Sequence, residues 1–150
     1  MLFYPEDATV RFMREALRMA EYAFESGEVP VGAVVVSDGR IIGKGYNQVE
    51  TLCDPTAHAE MIALTAACNH LGSKYLEECS LYVTLEPCIM CTGAMRWGRL
   101  KEVYYGAREE KFGYLTLSPN GFHPKTIIQG GILAEECAEL MRSFFKTKRD

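Results

Sequence analysis

Two short segments well separated along the chain constrain it more than anything else in it, because each makes chemical sense only beside the other. Ala57-His58-Ala59-Glu60 and Thr84-Leu85-Glu86-Pro87-Cys88-Ile89-Met90-Cys91 together carry an imidazole, two thiols and a carboxylate. Cys88 and Cys91 stand three apart behind a proline, and proline suits the first turn of a helix, where an N–H has no intrahelical use. That spacing predicts both sulfurs on one face of the opening turn. There the helix dipole favours thiolates, the form that binds metal. Two thiolates and one imidazole make a ligand set for zinc that leaves a fourth tetrahedral position for water, as in catalytic rather than structural sites. Glu60, two residues from His58, can lie beside that water without coordinating and move protons. Two other readings stand beside this one. The cysteines could be a redox pair, which leaves the segment around His58 without a purpose and does not account for the Thr-Gly-Ala after Cys91. Or the zinc could be structural, with Cys53, Cys79 or His70 as its fourth ligand.

At 150 residues the chain is long enough to bury one proper core and short for two, so 1–150 is expected to form a single domain. An apolar fraction of 48% and a charged fraction of 24% are those of an ordinary soluble globular protein and argue against disorder. Residues 1–7 lack a basic segment followed by an apolar run, and no window approaches a membrane span. The expectation is a cytoplasmic protein with no membrane partner. Six cysteines could form three disulfides, but two are assigned to metal and a core of this size needs no staples. Cys53, Cys68, Cys79 and Cys137 are read as reduced, with Cys68 and Cys137 on apolar helix faces. A net charge of -4 argues against the broad basic surface of an indiscriminate nucleic-acid binder, though not against a local patch. Lys146, Lys148 and Arg149 cluster near the C-terminus, and Arg96, Arg99 and Lys101 follow the paired cysteines. Each cluster is either such a patch or a solvated helix end, where cations are favoured anyway.

Met13, Ala16, Leu17, Ala20 and Phe24 recur at the spacing of one helical face and predict a helix over 10–26, with Gly27 as its stop. Glu15, Arg18 and Glu21 fall on its wet side. The valine-rich run 31–36, the turn at Asp38-Gly39 and the return over 40–44 predict an antiparallel hairpin. Asn47 follows; its amide is both donor and acceptor and can read a base edge, while its position also suits a turn. A helix is expected over 58–71, capped by Asp54 or Thr56, stopped by Gly72, and burying Met61, Ile62, Leu64 and Ala67. The run 80–85 predicts a strand leading straight into the cysteine helix, which ends near Trp97, and 102–106 predicts another. Strand, helix, strand with short links implies a parallel pair and a right-handed crossover, with the ligands outside the carboxyl ends of the strands. Residues 109–124 read as loop and 125–129 as a last strand. Leu133, Cys137, Leu140, Met141 and Phe144 mark a final amphipathic helix. Phe145 beyond them is either core or a ring for stacking on a base.

The segments EVPVGAVVV (28–36), DPTAHAE (54–60), LYVTLEPCIMCTGAM (81–95), YYGARE (104–109) and GILAEECAELMRSFF (131–145) contain the HxE and PCxxC pattern of zinc nucleobase deaminases. From Phe12 to Lys148 the chain resembles the bacterial tRNA adenosine deaminases of the cytidine deaminase superfamily. The resemblance implies an α/β fold, a cytidine deaminase-like three-layer α-β-α sandwich with a five-stranded mixed sheet and helices on both faces. It implies hydrolytic deamination of adenosine to inosine at the wobble position of tRNA. One Zn2+ per chain, held by His58, Cys88 and Cys91, would lower the pKa of its water so that hydroxide attacks the carbon bearing the amino group. Glu60, the catalytic residue, would take the water's proton, pass it to the ring nitrogen and protonate the departing ammonia. Asn47 and the backbone N–H of Ala59 would bind the base, and Val31 would line the pocket. Phe145 would meet the splayed bases of the anticodon loop. Members of the family are typically homodimers, so the implied partners are tRNA and a second copy of the chain.

Two features depart from the family pattern. The stretch 107–131 is shorter than in many members and lacks a Gly-Ser-Leu-Met run, and Trp97, within Arg96-Trp97-Gly98-Arg99, stands where a small residue is usual. The latter is reminiscent of the Tyr-Trp-Ala-Arg run of bacterial guanine deaminases. Both features support an alternative, a deaminase of a free base or nucleoside such as guanine acting in nucleotide salvage. A third possibility, a zinc-stabilised RNA-binding module without catalysis, gives Glu60 no purpose.

Overall fold

The central strands are apolar on both faces, and helices cover both. The computed structural model describes residues 7–149. Residues 1–6, which carry most of the segment read above for a leader pattern, lie outside the described residues, as do Asp150 and the side chain of Arg149 in the basic cluster. In chain order the elements are α1 (Ala8–Glu25), β1 (Gly32–Ser37), β2 (Arg40–Tyr46), α2 (Val49–Leu52), α3 (Ala59–Leu71), β3 (Cys79–Leu85), α4 (Ile89–Gly98), β4 (Glu102–Ala107), α5 (Tyr114–Leu117), β5 (Ile127–Gln129) and α6 (Ala134–Arg149). The sheet order is β2-β1-β3-β4-β5. β1 is antiparallel to β2 and β3, whereas β3, β4 and β5 run parallel. This is the five-stranded mixed sheet of the expected three-layer fold.

Successive strand side chains point to opposite faces, and β1 uses both. Ala33 and Val35 join Leu81, Val83, Ala63 and Met95 under α3 and α4. Val34 and Val36 join Phe12, Met13, Tyr82 and Cys137 under α1 and α6. Ala33, Val34 and Val35 have no exposed surface, and each buried valine contributes about 1.5–3 kcal/mol relative to exposure. Strands covered on both faces read as continuous apolar runs, which is why the valine run was legible as a strand although nothing in it alternates.

One edge of this sheet collects the start of β1 and the ends of β2, β3 and β4, because Gly32 pairs with Tyr46, Ala33 with Val83 and Leu85 with Ala107. Val31, Asn47, Glu86 and Arg108, the residues just beyond these termini, are therefore neighbours in space. α3 is drawn down onto the same edge. A Cβ built on Gly45 would stand 2.3 Å from the Ala59 carbonyl oxygen, so only glycine lets β2 approach the first turn of α3 this closely.

Several local expectations are corrected. Neither Asp54 nor Thr56 caps α3. His58 itself is the cap residue, in extended conformation, and its carbonyl accepts the first helical bond from the Ile62 N–H at 3.1 Å. The Asp54 carboxylate is occupied by the Thr56 N–H (2.8 Å) and hydroxyl (2.7 Å). Pro87 does not open α4 either. Cys88 is the cap residue and accepts from the Thr92 N–H at 2.9 Å, while the Pro87 carbonyl turns away to accept from the Tyr114 N–H at 2.8 Å. Residues 109–124 contain the short helix α5, and α2 was not anticipated at all. β2 runs on to Tyr46, and β5 begins only at Ile127.

Candidate metal centre and its cavity

The two cap residues bring the ligands together. His58 Nδ1 lies 3.6 Å from Cys88 Sγ and 3.5 Å from Cys91 Sγ, and the ligand atoms of all three lie within 4.8 Å of one another. A tetrahedral ion with Zn–S near 2.3 Å and Zn–N near 2.0–2.1 Å would hold nitrogen and sulfur about 3.5 Å apart. The donor types and their separations thus fit that ion. Among the described residues no fourth side chain joins the group. Cys53 is exposed at the end of α2, and Cys79 is buried in the core at the start of β3. The structural-zinc reading, which needed Cys53, Cys79 or His70 as the fourth ligand, is not supported. The redox reading is not supported either, because the paired sulfurs share an imidazole partner.

The electrostatics suit a cation. The Cys88 thiol is pushed down to about 4, chiefly by the hydrogen bond from Cys91, with His58 adding to it. Cys91 is pushed the other way, by the same hydrogen bond and then by burial. A dication bound between them would favour the thiolate at both sulfurs. The hydrogen bond to Cys88 also raises His58. Glu60, in the first turn of α3, is 4% exposed. Burial is the main force lifting its carboxyl, to about 7, so it can both accept and return a proton near neutrality.

A cavity of about 810 Å³ opens in front of this group, lined by His58, Glu60, Cys88, Asn47 and Val31 among others. Cys91 lies behind them with no exposed surface. The side of the cluster free of protein ligands therefore faces the cavity. Of the substrate contacts expected from the sequence, Asn47 and Val31 line its wall. Ala59 is the first residue of α3, where an N–H has no intrahelical partner to reach. Phe145 is placed differently. It is 42% exposed, so it is not core, and it is the adjacent Phe144, with Lys148, that lines the cavity mouth. The two rings meet edge to face at 5.4 Å. Trp97, 80% exposed, lines a separate groove with Met61, Tyr75 and Ala94.

Two buried carboxylates at the site were missed in the sequence. Glu86 is 2% exposed and accepts from Arg108 Nε (2.7 Å), the Glu109 N–H (3.0 Å) and the Leu115 N–H (3.0 Å). It thereby ties the loop after β4, which carries Glu109 and Phe112 to the cavity rim, to the segment that presents Cys88. A Cβ on Gly113 would meet a Glu86 oxygen at 2.3 Å, so the loop closes onto the carboxylate only through glycine. Glu28, 1% exposed, also lines the cavity. Burial alone would raise its carboxyl, but bonds from Thr51 and Glu50 hold it below the usual range. The available signal was a lone charge at the end of an apolar strand, Leu81 to Glu86, and another between Gly27 and Val29.

Comparison with known proteins agrees with this geometry. Residues 7–107 match the family described as the cytidine and deoxycytidylate deaminase zinc-binding region. A tRNA-specific adenosine deaminase from Aquifex aeolicus (strain VF5) is 48% identical over 143 residues, covering 93% of this chain and 95% of that protein. A solved structure from studies of A-to-I editing by tRNA:A34 deaminases at the wobble position of transfer RNA superposes with a TM-score of 0.81 at 40% identity, covering 87% of this chain and 98% of that one. A guanine deaminase from Bacillus subtilis superposes with a TM-score of 0.63 at 42% identity, covering 75% and 69%. The chain belongs to the zinc-binding cytidine and deoxycytidylate deaminase family, within the group of the tRNA-specific adenosine deaminases.

Proposed function

We propose that residues 1–150 act as one zinc-dependent domain that hydrolyses adenosine at the wobble position of a tRNA anticodon to inosine, releasing ammonia. The observation that carries this reading is Glu60, buried beside the His58, Cys88 and Cys91 cluster and facing the same cavity. A buried carboxylate poised near neutrality has a use in hydrolysis and none in a purely structural site. The substrate class rests on the likeness to tRNA deaminases.

His58, Cys88 and Cys91 would hold one Zn2+ per chain, which would supply the acidity that makes water nucleophilic near pH 7. Glu60 takes the proton that this water loses and hands it to the ring nitrogen next to the reacting carbon; it then takes the remaining proton of the added hydroxyl, as the carbonyl forms, and delivers it to the departing amino group. Water and adenosine thus become inosine and ammonia with no redox change. Asn47 and the Ala59 N–H hold the base edge, and Val31 packs against the ring. Phe144 at the cavity mouth and Phe145 beside it offer rings for neighbouring anticodon bases, with Lys148 near the phosphates.

A free base such as guanine remains the second reading, favoured by the likeness to the Bacillus subtilis enzyme. Trp97 does not support it, because that ring lines another groove. Trp97 instead extends a ridge along α4 with Ile89, which is 55% exposed, and with Gly93 between them at helical i, i+4 spacing. We assign this exposed apolar ridge to contact with a second copy of the chain in a homodimer. Among the described residues no helix is long and apolar enough to cross a membrane, and a tRNA substrate is consistent with a cytoplasmic enzyme.

Binding of an anticodon stem-loop is expected to weaken steeply with salt, the logarithm of the affinity falling by about 0.7 per phosphate contact for each tenfold rise in salt. A fluorescence titration from low to physiological salt measures it. Weak binding that ignores salt would favour the free-base reading.

A further inference from the structure

The wall of the cavity that carries Asn47 is not held by its own helix. Asn47 leads into α2, only four residues long, whose cap residue Gln48 makes no side-chain capping bond. The N–H groups at such a helix start need acceptors. They find one in Glu28, twenty-two residues away in sequence: the Glu50 N–H donates to its Oε1 at 3.1 Å, and the Thr51 N–H and hydroxyl each donate to its Oε2 at 2.6 Å. Just before this clamp the backbone is tied as well, with the Asn47 N–H bonded to the Val31 carbonyl at 3.1 Å and the Gln48 N–H to the Ala57 carbonyl at 3.0 Å. Glu28 itself is 1% exposed. A buried carboxylate costs heavily unless its oxygens are satisfied, and here the acid fastens the Asn47 arm to the segment that carries Val31 into β1.

We infer that Glu28 is a positioning residue for the substrate base. By holding the segment 47–51 against the start of β1, it fixes the distance between Asn47 and the metal cluster and thereby the seat of the base. Its hydrogen bonds go to Glu50 and Thr51 rather than to a ligand of the cluster. Its effect therefore falls on how tightly the substrate is held rather than on the chemical step. The inference rests on the deaminase reading above, in which Asn47 binds the base.

The test is a double-mutant cycle between Glu28→Gln and Asn47→Ala, with zinc content and hydrogen exchange of the 47–51 amides measured on the same samples. The glutamine places an NH2 group against at least one of the three donors. Losing these charge-assisted bonds is expected to raise KM about 10- to 50-fold, leave kcat within about threefold, keep zinc unchanged and speed exchange at Glu50 and Thr51. In the Asn47→Ala background the same change is expected to cost almost nothing further, because the arm then has no base contact to misplace. Additive losses, an unchanged KM, unchanged exchange, or a fall in kcat with loss of zinc would each overturn the inference. Should Glu28→Gln fail to fold, Thr51→Val removes one donor and leaves the charge. It is expected to raise KM about threefold, again without effect beside Asn47→Ala, and an unchanged KM decides against the inference. Wild-type turnover is first compared on an anticodon stem-loop and on free guanine. If only the free base reacts, the tRNA reading fails while the cycle is run on that base. If neither reacts, hydrogen exchange at 50 and 51 still decides whether Glu28 holds the arm.

Discussion

Replacing Glu60 by alanine is expected to lower kcat about a thousandfold, within the range that a positioned proton carrier supplies, while zinc stays at its wild-type content. The ligand atoms that hold the metal belong to His58, Cys88 and Cys91, and Glu60 contributes none of them. What the variant loses is the group that takes a proton from water and returns it to the product. A glutamine at the same position keeps the shape and the hydrogen-bond acceptor but cannot carry the proton, so Glu60→Gln is expected to be nearly as inactive. Neither change threatens the fold strongly, because the native carboxyl is itself disfavoured as an anion by burial. Ammonia release and elemental zinc analysis on the same preparations provide the check. Activity within tenfold of wild type, with metal in place, contradicts the assigned role.

Removing the metal, by chelation or by Cys91→Ala, is expected to abolish turnover and to lower the melting temperature by about 10 °C, taking a bound ion at about a thousand times its dissociation constant as worth about 4 kcal/mol and a domain of this size as shifting about 2–4 °C per kcal/mol. The cluster joins the starts of α3 and α4, elements that otherwise meet mainly through the core beneath them. The chain is expected to stay folded without metal, since the two apolar clusters on either side of the sheet do not depend on it. Because thiol and imidazolium protons must leave before a cation binds, zinc uptake releases protons and its affinity rises with pH. Scanning calorimetry with and without chelator, and zinc competition at two pH values, measure these effects. A melting temperature and a turnover that ignore the chelator contradict the assignment.

The cluster itself was legible in the sequence because thiol and imidazole side chains are scarce and their chemistry is narrow. Helix α1 and the β1–β2 hairpin were legible for a different reason, since apolar period and turn residues act over a few positions. What escaped was set by partners far along the chain. That Cys88 is a cap residue rather than a member of a first turn depends on where the Pro87 carbonyl goes, and it goes to Tyr114. Glu28 and Glu86 look like ordinary surface charges until the amides that converge on them, from residues 50–51 and 109–115, are brought close by the sheet. Phe144 and Phe145 illustrate the same limit within one helix. Adjacent residues point about 100° apart, and only the packing of α6, with Phe144 against Phe24 at 5.9 Å, decides which ring faces the cavity.

The substrate assigned to this cavity is adenosine in the anticodon of a tRNA. Ammonia release by the zinc-loaded protein, run side by side on an anticodon stem-loop with a wobble adenosine and on free guanine, adenine, cytosine and their nucleosides, tests it most directly. Turnover of the stem-loop is expected, with inosine appearing at the wobble position, and no turnover of the free bases and nucleosides. Turnover of guanine or another free base with the stem-loop inert would contradict it, leaving the metal chemistry of His58, Cys88, Cys91 and Glu60 in place but moving the reaction to nucleotide salvage.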